Sequence, residues 1–123
     1  MNADKRVLIV DDEPDILKAV TFRVQRAGYG VISAADGKDG LEKARAEKPD
    51  LIILDWQLPV MNGVEVYREL QADPELKDIP VILLTASRER DELEYMRDDV
   101  GFKHIVIKPY EPEELLAKIS DLV

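Results

Sequence analysis

Several side chains able to take part in phosphate or metal chemistry stand directly after short apolar runs in this 123-residue chain. They are Asp11, Asp12, Asp55, Thr85 and Lys108. Three carboxylates held close together repel one another at the edge of a low-dielectric core, and a divalent cation relieves that repulsion. Oxygen ligands with no His or Cys nearby favour Mg²⁺, with Mn²⁺ as the alternative, over zinc.

A carboxylate that remains free to attack is able to accept a phosphoryl group and become an aspartyl phosphate. Asp55 is the preferred nucleophile because it stands alone, whereas Asp11 and Asp12 form a pair. The ammonium of Lys108 and the hydroxyl of Thr85 are groups that stabilise charge on phosphoryl oxygens. Each residue alone also fits a helix start, a turn or a surface charge. Their joint position after four separate apolar runs favours a functional site.

The apolar runs have the length of short buried strands. They are Val7–Val10, Val31–Ala34, Leu51–Leu54, Ile79–Leu84 and Ile105–Ile107. A stretch with helical periodicity or helix-start signals follows each run, which predicts an α/β fold with a parallel sheet. We expect a doubly wound, flavodoxin-like, five-stranded parallel sheet in the order 2-1-3-4-5, with five helices on both faces. The strand ends then lie along one edge, so the five side chains converge.

Residues with side chains suited to capping precede three of the predicted helices. Asp36 is the expected cap of the second helix, and Asn62 is the expected cap of the third, in a capping box with Glu65. Ser87 is the expected cap of a fourth helix that extends over 87–99. Pro112 opens the fifth helix.

Composition limits the classes of function. The formal net charge is −9, from 17 basic and 26 acidic residues, which argues against direct binding of nucleic acid or an anionic membrane. The chain has no cysteine, which excludes disulfides and thiolate metal sites and fits a cytoplasmic location. No apolar run approaches the ~18–20 residues of a membrane span. The length fits one domain over residues 1–123.

Four motifs carry a resemblance that covers nearly the whole chain. They are VLIVDDEP at 7–14, LIILDWQLPVMNG at 51–63, IPVILLTA at 79–86 and IVIKPYEPEEL at 105–115. Together, and in this order, they resemble the receiver domain of bacterial two-component response regulators. The resemblance implies a phosphoacceptor rather than an enzyme with outside substrates. A histidine kinase or phosphotransfer protein would phosphorylate Asp55.

The resemblance also implies a role for each site residue. Asp12 and Asp55 would bind Mg²⁺ directly, together with the backbone carbonyl of Gln57, while Asp11 would act mainly through water. Lys108 and the Thr85 hydroxyl would contact the phosphoryl group. Activation would then remodel the face formed by the fourth helix, the fifth strand and the fifth helix. That face would bind a partner or a second copy of the chain.

The chain departs from the family where an aromatic residue is common in the fifth strand, because Ile105 occupies that position. Three interpretations stay open: the switch works without the aromatic, another residue substitutes for it, or the output is weakly coupled. His104, the only histidine, is expected to be a partly exposed strand-edge residue. Trp56, the only tryptophan, is expected to be a loop aromatic whose fluorescence reports on the site.

Two functions from other classes compete with the phosphoacceptor. A phosphorylation-independent receiver-like interaction module would have lost its chemistry, and Ile105 is the only feature that favours it. A small Mg²⁺-dependent phosphohydrolase of the haloacid dehalogenase type would also place Asp, Thr and Lys at strand ends. Such enzymes usually begin with Asp-x-Asp rather than Asp-Asp, and they need extra length for a cap.

Overall fold

The computed structural model describes residues 4–123, so the first three residues of the predicted domain lie outside the described part. Strands and helices alternate along the chain. The strands are β1 (Arg6–Val10), β2 (Gly30–Ala34), β3 (Leu51–Asp55), β4 (Val81–Thr85) and β5 (His104–Ile107). The helices are α1 (Pro14–Arg26), α2 (Gly37–Glu47), α3 (Gly63–Ala72), α4 (Arg90–Glu94), which a π-helical stretch (Tyr95–Val100) extends, and α5 (Pro112–Leu122).

The five strands form one parallel sheet in the order β2-β1-β3-β4-β5, which confirms the predicted fold class. Alternate residues of the strands point to opposite faces. Leu8, Ile52 and Leu83 belong to the core cluster on the face that α2 and α3 cover. Ile9 and Ile53 belong to the cluster on the other face, which α1 and α5 cover. β3 is buried along its full length at the centre of the sheet.

Local side-chain chemistry explains where two helices begin. The Asp36 carboxylate accepts a hydrogen bond of 2.7 Å from the backbone N–H of Asp39, which caps α2 as predicted. Asn62 and Glu65 form the predicted reciprocal capping box at the start of α3. These caps fix the helix ends next to the strand ends that carry the candidate site.

The fourth helix differs from its prediction. It begins at Arg90 rather than at Ser87, and the stretch Tyr95–Val100 is π-helical. The Ser87 hydroxyl caps no helix and instead accepts a hydrogen bond of 3.3 Å from the backbone N–H of Glu89. Hydroxyl turns of this kind compete with helix formation, which explains the later start.

The start of the fourth strand is a smaller difference. β4 begins at Val81, two residues after the predicted Ile79. Pro80 stands between them and has no N–H to donate to a neighbouring strand. No helix in the described part of the chain combines the length and apolar character needed to cross a membrane.

Candidate functional site

The ends of three neighbouring strands form the site. Asp55 is the last residue of β3, Thr85 is the last residue of β4, and Lys108 directly follows β5. A cleft of about 660 Å³ opens at this edge of the sheet. Its walls include Asp12, Asp55, Gln57, Thr85 and Lys108, with Trp56, Ser87 and Arg88 among the other lining residues. The structure therefore brings five of the six predicted site residues to one cleft.

Asp11, the sixth, is only 1% exposed and contacts the Lys108 ammonium. The Lys108 Nζ lies 3.3 Å from Oδ2 of Asp55 and 3.7 Å from Oδ2 of Asp11. The Oδ1 atom of Asp11 accepts a hydrogen bond of 3.0 Å from the backbone N–H of Glu13. Its Oδ2 atom is buried and, among the described residues, has no hydrogen-bond partner. Such an oxygen is available to a further ligand.

The three carboxylates fit a hard divalent cation. One oxygen from each of Asp11, Asp12 and Asp55 lies within 4.8 Å of the others. Asp12 is exposed while Asp11 and Asp55 are buried, so the cluster is open on the side of the cleft. An all-oxygen donor set of this kind, with one buried oxygen that accepts no hydrogen bond from the described residues, suits Mg²⁺ and keeps room for water or phosphate oxygens.

The electrostatic setting of Asp55 differs from that of an ordinary surface carboxylate. Burial raises the pKa of the Asp55 carboxyl to about 6. The Lys108 ammonium opposes this rise in pKa, and the Asp11 carboxylate adds to it. The charge of a buried carboxylate is poorly hydrated. A positive group that approaches it therefore stabilises its ionised form more than it would stabilise a solvated carboxylate.

Thr85 connects the cleft to the loop before α4. Its hydroxyl is buried and accepts a hydrogen bond of 3.0 Å from the backbone N–H of Ser87, which leaves the hydroxyl hydrogen for another acceptor. The backbone carbonyl of Thr85 accepts a hydrogen bond of 2.7 Å from the N–H of Lys108. The two strand ends are thus held together beside Asp55.

Three residues near the site have contacts that the sequence did not reveal. Tyr110 is partly buried, and its pKa is raised to about 12 by burial and by the charges of Asp11 and Asp55. Arg88 lines the cleft and donates a hydrogen bond of 3.4 Å to the carbonyl of Lys108. Trp56 packs against the core rather than standing free in a loop. Tyr110 follows the Lys-Pro pair directly, and that proximity was the only available signal.

Two residues that the sequence singled out lie away from the cleft. His104 is partly exposed at the start of the edge strand β5, as expected, and burial together with Lys118 and Lys103 lowers its pKa. Ile105 lies in register with Leu83 of β4 and packs partly buried against the core. Neither residue contributes to the cleft lining.

Comparison with known proteins agrees with this geometry. The family profile described as response regulator receiver domain matches residues 7–120. The chain is 36% identical to the alkaline phosphatase synthesis transcriptional regulatory protein PhoP of Bacillus subtilis, over 98% of this chain and 49% of that protein. The chain thus spans about half the length of curated relatives such as PhoP.

Solved structures show the same fold. The chemotaxis response regulator CheY4 of Vibrio cholerae superimposes with a TM-score of 0.88 at 34% identity, over 97% of this chain and 98% of that one. The receiver domain of the sensor histidine kinase PA1611 from Pseudomonas aeruginosa matches with a TM-score of 0.87 at 27% identity, over 96% of each chain. That structure has a magnesium ion coordinated in its active-site cleft.

Sequence and structure comparisons therefore lead to the same family. The matched profile covers nearly all of the chain, and the CheY4 structure superimposes over nearly the full length of both chains. The relatives are two-component response regulators that act in signal transduction. The chain belongs to the receiver domain family of response regulators, a family of signalling domains rather than of enzymes acting on outside substrates.

Proposed function

We propose that this chain, as a single domain over residues 1–123, is a phosphorylation-dependent switch whose phosphoacceptor is Asp55. The observation that carries the proposal is the position of the Asp55 carboxylate. It is 5% exposed at the end of the central strand, faces an open cleft and lies 3.3 Å from the Lys108 ammonium. A histidine kinase or phosphotransfer protein is the proposed donor, since both present a phosphoryl group on an accessible imidazole.

The transfer exchanges one bond for another. An oxygen of the Asp55 carboxylate forms a bond to phosphorus as the phosphorus–nitrogen bond of the donor phosphohistidine breaks, and the leaving imidazole nitrogen takes up a proton. The product is an acyl phosphate on Asp55. The Lys108 ammonium and the Thr85 hydroxyl hydrogen are the groups of this chain that can stabilise negative charge on the phosphoryl oxygens. Hydrolysis of this acyl phosphate by water returns the domain to its resting state.

Asp11, Asp12, Asp55 and the backbone carbonyl of Gln57 are the proposed holders of Mg²⁺, with Mn²⁺ as the alternative ion. When bound, the ion supplies positive charge that neutralises the carboxylates and the incoming phosphoryl oxygens. The buried Oδ2 of Asp11, which accepts no hydrogen bond from the described residues, and the closeness of the three carboxylates support this assignment. Gln57 is exposed and lines the cleft together with Asp12 and Asp55.

The proposed output surface is the face formed by α4, β5 and α5. Thr85 is joined to the loop before α4 through its hydrogen bond with Ser87, so a change at the Thr85 hydroxyl alters that loop. The face then serves an output partner, an attached output domain or a second copy of the chain. With a net charge of −9, the domain itself is not proposed to bind nucleic acid or membrane. A cytoplasmic location is part of the proposal, since the chain has no cysteine.

Trp56 fluorescence tests the proposal, because Trp56 directly follows Asp55 in the chain and is one of the residues that line the cleft. Mg²⁺ is added first and beryllofluoride second, to the wild type, to Asp55→Asn and to Asp12→Ala. We expect the wild type to respond to both additions. Asp55→Asn should show no further response to beryllofluoride, and Asp12→Ala should lose the response to Mg²⁺. Mass spectrometry after acetyl phosphate treatment should find one added phosphoryl group in the wild type only.

Other outcomes would overturn the proposal. Phosphorylation of Asp55→Asn at the wild-type level would remove Asp55 as the acceptor. No response of the wild type to either addition, and no phosphoryl group in its mass, would favour the phosphorylation-independent interaction module. Sustained release of phosphate from a phosphomonoester that is not a phosphodonor would favour the phosphohydrolase.

A further inference from the structure

Trp56 joins the candidate phosphoacceptor to the fourth helix. It is the next residue after Asp55, and its backbone is held on both sides. Its N–H donates to the carbonyl of Leu84 at 2.9 Å, and its carbonyl accepts from the N–H of Gly63 at 3.1 Å. Its ring makes edge-to-face contacts with Tyr95 and Phe102, each with a centroid distance of 6.3 Å. The backbone of Trp56 is therefore held in place by two hydrogen bonds, so a rearrangement of this residue would involve its side chain.

Tyr95 is held differently from the other ring that contacts Trp56. Phe102 is fully buried and stacks on Tyr67 at a centroid distance of 4.1 Å, so it forms a rigid wall. Tyr95 is 38% exposed, and the long 3.5 Å hydrogen bond from Arg68 to its hydroxyl is weak. A displaced Trp56 ring therefore moves Tyr95 more readily than it moves Phe102.

Tyr95 is also the first residue of the π-helical stretch, Tyr95–Val100. The carbonyl of Met96 accepts hydrogen bonds from the N–H groups of both Gly101 and Phe102, at 3.1 Å and 3.0 Å. π-helical turns are rare and often lie at functional sites, and a one-residue change of hydrogen-bond register converts them to α-helix. A change of hydrogen-bond register in Tyr95–Val100 would therefore alter the shape of the fourth helix.

The strand next to the fourth helix offers no alternative aromatic contact. β5 has the sequence HIVI and carries no Phe, Tyr or Trp. Ile105, in register with Leu83, is an aliphatic part of the core. Among the described residues, the aromatic contact that links a cleft-lining residue to the π-helical stretch is the one between Trp56 and Tyr95.

We propose that the contact between Trp56 and Tyr95 couples occupancy of Asp55 to the hydrogen-bond register of the π-helical stretch, with Tyr95 as the positioning residue. This inference rests on the proposed phosphoacceptor role of Asp55. A group bound to Asp55 shifts the Trp56 ring, the Tyr95 ring follows it, and the stretch changes its balance between two registers. The fourth helix then presents one of two shapes to a binding partner.

Hydrogen exchange with and without Mg²⁺ and beryllofluoride tests the coupling in three variants. Tyr95→Leu removes the ring but keeps an apolar side chain, and Tyr95→Phe keeps the ring and removes only the hydroxyl. Phe22→Leu is the matched control, because Phe22 is an exposed aromatic on α1, the helix on the opposite face of the sheet. Thermal unfolding of all three verifies that each is folded before exchange is compared.

In the wild type, we expect beryllofluoride to change the exchange rates of amides 95–102. Tyr95→Leu should reduce that change by roughly 2- to 12-fold, the range that aromatic pair contacts span. Tyr95→Phe and Phe22→Leu should retain it. Tyr95→Leu should still take up one phosphoryl group from acetyl phosphate, because Tyr95 does not line the cleft.

The outcomes separate the two proposals. A full wild-type exchange response in Tyr95→Leu would overturn the coupling and leave the phosphoacceptor role intact. So would a phosphorylated wild type whose amides 95–102 do not respond. Equal loss of the response in Phe22→Leu would also overturn it, since the effect would then be general. A wild type that accepts no phosphoryl group would overturn both.

Discussion

At the scale of single residues, the site depends on unequal environments for similar side chains. Asp12 and Asp55 both face the cleft, but Asp12 is exposed and Asp55 is buried beside Lys108. The nucleophile that we propose must be ionised to attack, yet burial favours its protonated form. Ionised Asp55 therefore destabilises the site when no ligand is bound, and a cation or a covalent change at Asp55 reduces that destabilisation.

The first prediction concerns stability and pH without metal. The pKa of Asp55 in the folded protein, about 6, lies above the ordinary aspartate pKa of 3.8. Above pH 6 the ionised carboxylate destabilises the fold fully, and the penalty fades as pH falls from 6 towards 3.8, because the folded state takes up its proton first. Asp55→Asn should raise the free energy of unfolding at pH 7.5 by about 1–3 kcal/mol. Denaturation in EDTA at pH 7.5 and 4.5 measures this gain, which should shrink at the lower pH.

Asp78→Asn is the control for that measurement, because Asp78 is exposed and lies outside the cleft. It should change the free energy of unfolding little at either pH. A variant Asp55→Asn that is less stable than the wild type at pH 7.5 would show that the ion pair with Lys108 outweighs the burial of the carboxylate.

The residues at the strand ends were predictable from the sequence. The length of each apolar run indicates where its strand ends, and a parallel sheet places all of these ends at one edge. The placement of Asp55, Thr85 and Lys108 around one cleft follows from that rule alone. The contacts of Trp56 and the burial of Tyr110 were not predictable. They depend on which side chains meet in the folded protein, and the spacing of residues along the sequence does not predict such tertiary contacts.

At the scale of elements, close approach between α3 and β3 positions Asp55, the proposed nucleophile. A Cβ atom on Gly63 would lie 2.6 Å from the carbonyl oxygen of Asp55 and 3.0 Å from that of Trp56. Both obstacles are backbone atoms, which cannot rotate away as a side chain can. Gly63 thus allows the capped start of α3 to press on the backbone of the site.

Gly63→Ala should therefore lower the free energy of unfolding by about 1–3 kcal/mol, as overpacking does in other interiors. It should also slow phosphorylation by acetyl phosphate, because the shifted backbone carries Asp55. Gly30→Ala is the matched control, since its Cβ would meet only the flexible Arg6 side chain at 3.2 Å and one backbone oxygen at 3.8 Å. If Gly63→Ala and Gly30→Ala had similar free energies of unfolding and similar phosphorylation rates, this role for Gly63 would be contradicted.

The elements themselves were predictable where one local signal dominated. Asp36 and Asn62 cap their helices as expected. The side chain of each accepts a hydrogen bond from the backbone N–H three residues later in the chain, which is the interaction of a helix cap. Ser87 has two uses, and the hydroxyl turn with Glu89 displaced the helix cap. The π-helical stretch was not predictable, because its extra residue per turn leaves the apolar pattern of a short helix almost unchanged.

At the scale of the whole molecule, topology and net charge set the conditions for assembly. The sheet order was predictable because right-handed crossovers and the strand-helix alternation leave few arrangements. A net charge of −9 makes two copies repel, so any contact face must place cations against acids. The groove between β5 and α5 has such a mixture, with Arg88 and Lys118 near Glu114 and Asp121.

The last prediction concerns self-association through the face of α4, β5 and α5. Beryllofluoride with Mg²⁺ should shift the protein from monomer towards dimer. Lys118→Gln should weaken that dimer by roughly 2- to 30-fold, because an exposed ion pair contributes about 0.2–1 kcal/mol and two-fold symmetry counts it twice. Lys18→Gln on α1 makes the same change in net charge away from the groove and should leave the dimer unchanged.

Sedimentation equilibrium at several protein concentrations distinguishes the two lysine variants. Equal dimer strength in both would mean that Lys118 makes no contact across the interface and that overall charge alone matters. A beryllofluoride-treated wild type that remains monomeric at the highest concentration would exclude the second copy as occupant of this face. A partner of different sequence would then have to bind the face that changes when Asp55 is modified. That partner would need positively charged side chains to complement a domain of this net charge.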